Sequence, residues 1–383
     1  MIYLDNAATS FPHPPRVAEE QFRCLQKECG NPGRGSHALS LAAAEKIYAC
    51  REELAKLFHT PYPQNVIFTM NTTMALNIAI KGLIQRGGHI LFSDMEHNAV
   101  VRPIRKLEMN GVITASTFPT FPTASARTPK AICASVLEHL RPNTKMLVAA
   151  HASNICSAVL PIGAIGKLCR ERGILFVVDA AQSAGHLPID MEKDCIDVLC
   201  APGHKGLLGA QGSGFFILRD GLYADTLIEG GSGFHSMDIQ MPQELPERYE
   251  AGTLPTPAIA GLCEGVKEVQ RIGIEAIHAH EVSLNRQLQE RLLQMPDITI
   301  YLPQSIGSIL LFNANGIPAE QMGQELNKRG FCVRAGLHCA PLAHKTLNTP
   351  IGGAVRISPG IFNTPAQIES LANAIWEILR EAR

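Results

Sequence analysis

Short, mostly apolar runs recur through the first two-thirds of the chain: Val66–Phe68, Ile90–Phe92, Met146–Ala150, Gly173–Val178, Ile196–Ala201, which holds one aspartate, and Phe215–Leu218, with a less apolar strand expected near Val112–Phe118. Runs of this length without polar alternation are what strands buried on both faces require. Between them the period changes to that of a helix. Leu76, Ala79, Ile80, Leu83 and Ile84 share one face of a segment opening at Thr72-Thr73, which can cap its first turn. Further helices are expected over 130–140 and 161–172, and another to about Phe58 with Ser36 as N-cap after the break at Asn31–Gly35. Strand and helix alternate, so the reading is an α/β chain with a mainly parallel sheet. From Thr256 the texture shifts to long helices, about 257–273 and 275–295, and then to mixed α and β. A large α/β domain over 15–255 and a small α+β domain formed by 1–14 and 256–383 are expected.

The composition narrows the class without naming a chemistry. The chain has 383 residues, 46% hydrophobic and 18% charged, with a net charge of −1. That describes a soluble globular protein and gives no reason to expect nucleic acid or an acidic membrane as partner. Eleven cysteines occur with no Cys-x-x-Cys pair, so neither a zinc site nor a disulfide framework is indicated, and no metal is expected. The amino terminus lacks the basic and apolar regions of a signal peptide, and no apolar run approaches a membrane span. A cytoplasmic setting is the expectation.

Candidate chemistry gathers at the strand exits. Asp179-Ala180-Ala181-Gln182 follows one buried run, and Pro202-Gly203-His204-Lys205-Gly206 follows the next. Open α/β sheets bind ligands at the carboxyl ends of their strands. His97 leaves an earlier strand after Glu96, and Asn154 leaves another, while Thr72-Thr73 opens a helix whose unpaired N–H groups suit a phosphate. Each has an ordinary reading alone: a cap, a structural histidine, a turn. The glycines after Lys205 do not form a Walker loop, because the lysine precedes them. The long polar stretch 230–248 has the look of a lid or a subunit contact. Taken as a set, the residues match the needs of pyridoxal phosphate: a helix N-terminus for its phosphate, a carboxylate for its ring nitrogen and a lysine for its aldehyde.

With these motifs in view the chain resembles the cysteine desulfurases, within the class V aminotransferase group of fold-type I pyridoxal-phosphate enzymes. Leu4–Thr9, Thr72-Thr73, Glu96-His97, Ser153-Asn154, Asp179–Gln182, Gly203–Lys205, Glu250–Thr253 and Arg334–Pro341 carry the likeness, which spans essentially the whole chain. The last motif resembles the short-loop, group II branch. The resemblance implies a seven-stranded sheet in the large domain. It implies that Lys205 is the Schiff-base lysine, Asp179 the partner of the pyridine nitrogen, Gln182 that of the ring hydroxyl and His97 the stacking ring. Thr72, Thr73, His204 and Thr253 are expected around the phosphate, Thr253 reaching it from the second subunit of a homodimer with shared active sites. Asn154 is expected near the ring, and Arg356, with Arg334, at the substrate carboxylate, where a bidentate guanidinium is the suited group. Cys339 is implied as the thiol that takes sulfur from L-cysteine, forming a persulfide and releasing alanine, with a sulfur-acceptor protein as a further partner. The other ten cysteines read as small buried hydrophobes.

Two positions depart from the family pattern. Pro202 stands where many relatives carry a phosphate-binding serine, and Leu337 where group II enzymes carry a histidine beside the cysteine. The cofactor reading leaves other reactions open: a selenocysteine lyase or cysteine C–S lyase, a class V aminotransferase on another amino acid, or a pyridoxal-free scaffold in sulfur trafficking.

Overall fold

The computed structural model describes residues 1–33, 35, 37–121, 128–235, 237–302 and 307–382. The chain begins with β1 (Ile2–Tyr3), α1 (Pro15–Lys27) and α2 (Ala38–Leu57), then alternates through β2 (Val66–Thr69), α3 (Thr72–Leu83), β3 (His89–Ser93) and α4 (Asn98–Met109). It continues with β4 (Thr114–Phe118), α5 (Pro129–His139), β5 (Thr144–Ala150), α6 (Ile162–Glu171), β6 (Leu175–Asp179), β7 (Val198–Pro202) and β8 (Gly214–Leu218). The carboxyl-terminal part comprises α7 (Thr256–Ile272), α8 (Ile274–Leu292), β9 (Ile298–Ile300), β10 (Leu310–Ala314) and α9 (Ala319–Lys328). It closes with β11 (Phe331–Cys332), β12 (Arg334–Gly336), α10 (Pro341–Thr346), β13 (Ala354–Ile357) and α11 (Pro365–Glu381).

Seven strands form one sheet in the order β2-β8-β7-β6-β5-β3-β4. The pairs from β7 to β4 are parallel, whereas β8 runs antiparallel to both of its neighbours. The apolar runs are continuous because both faces are covered. Leu147, Phe176, Val178, Leu199 and Ile217 enter one core with α2, α6 and α7, while Met146, Val148, Val177, Val198 and Phe216 enter the other with α3 and α4. A period of two with apolar side chains on both phases is the signature of such a sheet.

A second core lies around β10 and β13, built from Leu4, Leu284, Leu288, Phe312, Val355, Ile375 and their neighbours on α8, α9 and α11. The amino terminus joins it, since β1 pairs with β11 and Leu4 is fully buried there. Helix α7, in contrast, places Ile259, Leu262, Cys263 and Val266 in the core of the large sheet. We therefore propose a division after Ile272, at Gly273 with its φ of 92°, in place of the expected boundary at 255/256.

Local details differ from the sequence expectation in a few places. Ser36 lies outside the described residues; α2 is capped by His37, whose side chain accepts from Ser40 N–H. Helix α3 is capped by Asn71, not by Thr72 or Thr73: Asn71 Oδ1 accepts from Met74 N–H at 3.0 Å, and the threonines fall at the first helical positions. Helices α1 and α4 were not expected at all. Among the described residues no helix is long and apolar enough to cross a membrane.

Candidate active site

The strand exits converge. A cavity of about 110 Å³ opens at the carboxyl ends of β5, β6 and β7, and its walls include Thr72, Thr73, His97, Asn154, Asp179, Gln182, His204 and Lys205. Parallel pairing explains the convergence, because Ala150, Asp179 and Cys200 stand side by side in the ladder and their strands end together.

Asp179 and Lys205 face this cavity under opposing influences. Burial raises the Asp179 carboxyl above its ordinary range, while the Ala181 N–H, donating to Oδ1 at 2.9 Å, and nearby Lys205 pull it down. Burial lowers the Lys205 amine to about 8, with Asp179 pulling it upward and Arg356 lowering it further. Among the described residues no hydrogen bond or ion pair holds the Lys205 Nζ. Its loop is close-packed: a Cβ on Gly206 would lie 2.4 Å from Ala184 O, so only glycine lets this turn approach the one after Asp179.

His97 caps α4, Nδ1 accepting from Ala99 N–H at 3.0 Å. Burial first, then Lys205, lowers it to about 4, so the ring is neutral near pH 7 and Nδ1 is its bare nitrogen. His204 is likewise held near 4, by burial and then by Lys205. At the mouth of α3 Thr72 Oγ1 is buried without a partner. A buried hydroxyl of this kind, at a helix N-terminus whose capping is already done by Asn71, is open to an anion.

The amino-terminal segment is strapped across this site, with Ala7 and Thr9 against the loops that carry Gln182 and His204. Gln182 Nε2 donates to Ala7 O at 2.9 Å, Thr9 Oγ1 to His204 O at 3.1 Å, and Ser10 Oγ to Lys205 O at 2.8 Å. Asp5 has a role that sequence reasoning missed. Its two oxygens take Arg356 Nη2 at 2.6 Å and Arg334 Nε at 3.0 Å, so one carboxylate holds both candidate substrate-binding arginines. The signal was available: a buried guanidinium demands a counter-charge. Arg356 is 2% exposed, donates through Nη1 to Asn154 O at 2.8 Å, and keeps Nε buried and unpaired.

Cys339 does not line the cavity, but its loop is fastened to residues that do. Asn154 Nδ2 donates to His338 O at 2.8 Å, and Asn98 N–H, next to His97, donates to Cys339 O at 2.7 Å. The thiol is exposed. Against the expectation of burial for the remaining cysteines, Cys29 is exposed as well and Cys133, Cys195 and Cys332 are half-buried. Asn98 is the second residue the sequence reading left unnamed. Thr253 lies elsewhere, in a separate cavity with Gly33, Arg51 and Glu250. Arg51 and Glu250 form a buried ion pair, and Glu250 Oε1 also accepts from Phe68 N–H at 2.7 Å. Pro202 ends β7 on the wall of the first cavity, and Leu337 is partly exposed.

Residues 2–371 match the family model for class-V aminotransferases. A probable cysteine desulfurase of Methanothermobacter thermautotrophicus is 31% identical over 391 residues, covering 98% of this chain and 94% of the relative. Among solved structures, the apo cysteine desulfurase of Thermococcus onnurineus NA1 superposes with a TM-score of 0.90 at 27% identity, covering 99% of this chain and 95% of that one. The S-sulfonic acid form of the Escherichia coli cysteine desulfurase CsdA gives 0.89 at 25% identity, with 99% and 94% covered. The two-core α/β architecture, with its mainly parallel seven-stranded sheet, is accordingly that of the fold-type I enzymes expected from the motifs. By sequence and fold alike, this chain belongs to the class-V aminotransferase family, among its cysteine desulfurases.

Proposed function

We propose that this protein is a pyridoxal-phosphate-dependent cysteine desulfurase that converts L-cysteine to L-alanine and takes the sulfur onto Cys339. The observation that carries the reading is the double anchoring of the His338-Cys339 backbone, to Asn154 and Asn98, beside the cavity that holds Asp179 and Lys205. An aminotransferase would have no use for a thiol held there.

The residues present fit the cofactor. The unpartnered Thr72 Oγ1, with Thr73 and His204 nearby, supplies donors for a phosphate, Asp179 supplies a buried carboxylate for a ring nitrogen, and the Lys205 amine is free. Gln182 is the partner for the ring hydroxyl and His97 supplies a flat neutral ring. When bound, pyridoxal phosphate contributes an aldehyde that condenses with amines and a ring that withdraws electrons from the substrate Cα.

The protein groups then divide the work. Arg356, with its free Nε, receives the substrate carboxylate, and Arg334 shares its Asp5 anchor. Lys205, lowered to about 8, is neutral in part at neutral pH and removes the Cα proton. The Cys339 thiolate attacks the substrate sulfur: an S–S bond forms, the Cβ–S bond breaks with its electron pair left on carbon, and one proton delivered to Cβ and another returned to Cα by the Lys205 ammonium yield alanine. A sulfur-acceptor protein with a free thiol would clear the persulfide, a use that suits a reducing cytoplasm. Thr253, remote from this chain's own cavity, is read as a phosphate ligand lent to the second subunit of a homodimer.

The test is mass analysis of the Cys339 peptide after the cofactor-loaded protein meets L-cysteine. A gain of one sulfur is expected, absent in Cys339→Ala, with alanine formation lost in both Cys339→Ala and Lys205→Ala. Alanine formed by Cys339→Ala at the wild-type rate would overturn the reading, and faster turnover of L-selenocysteine by that variant would turn it toward a lyase.

A further inference from the structure

We propose that His344 is a positioning residue for Cys339, acting through His338; the proposal rests on the reading of Cys339 as the sulfur-accepting thiol. Leu337–Ala340 is a tight turn closed by Ala340 N–H donating to Leu337 O at 2.9 Å. Both central residues are left-handed, His338 with φ 52° and Cys339 with φ 55°. Two successive L-residues with positive φ are a strained pair that persists only where surrounding contacts hold it. The backbone contacts to Asn154 and Asn98 hold the two carbonyls. The His338 ring is held by a separate chain of side chains.

That chain runs His338 Nδ1 to His344 Nε2 at 3.1 Å, then His344 Nδ1 to Thr349 Oγ1 at 2.8 Å. At the other end His338 Nε2 lies 3.4 Å from Arg334 O. The rings are within 13° of parallel, and His344 is 3% exposed. Burial keeps both rings neutral near pH 7, His338 being lowered to about 3 with Arg356 adding to the effect. For two neutral rings the order of donors is then fixed. Arg334 O can only accept, so His338 carries its proton on Nε2 and accepts at Nδ1. His344 must therefore donate from Nε2 and accept at Nδ1, and the Thr349 hydroxyl donates into the chain. Each ring nitrogen then has one partner, and the Thr349 hydroxyl lies nearer His344 Nδ1, at 2.8 Å, than the carbonyls of His344 and Pro350, at 3.4 and 3.5 Å.

Removing His344 leaves His338 Nδ1 without its donor and frees the ring that stabilises the strained turn. One unsatisfied, half-buried group of this kind corresponds to a loss of about 10-fold in the population of the ordered turn, and at most ~150-fold. Glutamine at 344 carries an amide N–H where the imidazole Nε2–H stands, so it replaces the one donor the argument requires.

Cofactor-loaded wild type, His344→Leu and His344→Gln are mixed with L-cysteine, and the mass of the Cys339 peptide is followed in time. Hydrogen exchange of the 337–341 backbone is followed on the same proteins. In His344→Leu persulfide formation is expected to slow about 10-fold with KM unchanged, and the Ala340 amide to exchange faster by a similar factor. His344→Gln is expected to stay within about 3-fold of wild type in both measurements. Wild-type behaviour of His344→Leu overturns the proposal, as does an equal loss in the leucine and glutamine variants. If His344→Leu does not fold, Thr349→Val removes only the far hydroxyl and should show the same two effects at about 3-fold, with Thr349→Ser restoring them; no effect there overturns the proposal as well. Should wild type itself form no persulfide, the reading of Cys339 falls, and the exchange measurement still decides whether His344 holds the turn.

Discussion

Lys205 offers a perturbation whose direction is set by the structure. Burial brings its amine to about 8, and the largest opposing influence is Asp179. At pH 7 a group of that kind is neutral about 10% of the time, against ~0.04% for an ordinary lysine, roughly a 200-fold gain in reactive amine. Asp179→Asn removes the charge that favours the ammonium, so the value should fall by about one unit, equivalent to ~1.4 kcal/mol, and the neutral fraction at pH 7 should approach half. The assay is reductive methylation of the cofactor-free protein over a range of pH, with the Lys205 peptide followed by mass and exposed Lys193 as internal reference. Labelling of Lys205 should have its midpoint near pH 8 in wild type and about one unit lower in Asp179→Asn, with labelling at pH 7 about 5-fold faster. Turnover of the loaded variant should fall steeply, because a neutral carboxamide cannot hold a ring nitrogen protonated. Lys205 labelling at pH 7 and turnover thus move in opposite directions, whereas a misfolded variant would lose turnover with the labelling midpoint moving up toward the ordinary lysine value. A wild-type midpoint above pH 10, or an unshifted midpoint in Asp179→Asn, would refute the reasoning.

Two further outcomes follow from charges outside the cavity, both read by urea denaturation. Asp5→Ala leaves buried Arg356 without its carboxylate and should cost about 3–5 kcal/mol; a loss under ~1 kcal/mol would mean that Arg356 finds its counter-charge elsewhere. His186 Nδ1 lies 2.9 Å from Glu281 Oε2, joining the turn after Asp179 to α8. Burial opposes the charged ring, but Glu281 outweighs it and the net shift of His186 is upward. A raised folded value contributes stability that is fully present below the ordinary histidine value of about 6.5 and is lost as pH rises through the raised one. Wild type should therefore exceed Glu281→Gln by a margin that shrinks as pH climbs through that window, and a margin that grows would contradict the pairing.

The sequence was informative where one side-chain period dominated. Six of the seven strands in the large sheet were marked by runs such as Phe176–Val178 and Phe215–Leu218, because a strand buried on both faces has no polar phase to blur it, and the seventh, β4, falls within the strand expected near Val112–Phe118. Helix α1 escaped notice because it buries little, Val17 and Cys24 being its fully buried residues, and α4 because Pro103 interrupts its pattern. The reversed direction of β8 left no mark on Gly214–Leu218, since an apolar strand reads the same in either direction. The same limit applied to capping: Asn71, Thr72 and Thr73 are all competent, and only backbone geometry assigned the cap to Asn71.

Lys205, Asp179, Gln182, His97 and Asn154 were nameable in advance because each sits within a few residues of a recognisable strand end, and parallel strands end on one side of a sheet. Asp5, Asn98, His344 and Thr349 were not. Asp5 meets Arg356 across 351 positions of sequence, and Asn154 meets His338 across 184. Local sequence encodes hydrophobic period, turn chemistry and the identity of reactive groups, all of which act over one or two turns of chain. Which carboxylate neutralises a buried arginine, and which amide pins a strained turn beside a distant lysine, depends on the docking of the two cores, where free energy is gained only once the chain has closed on itself.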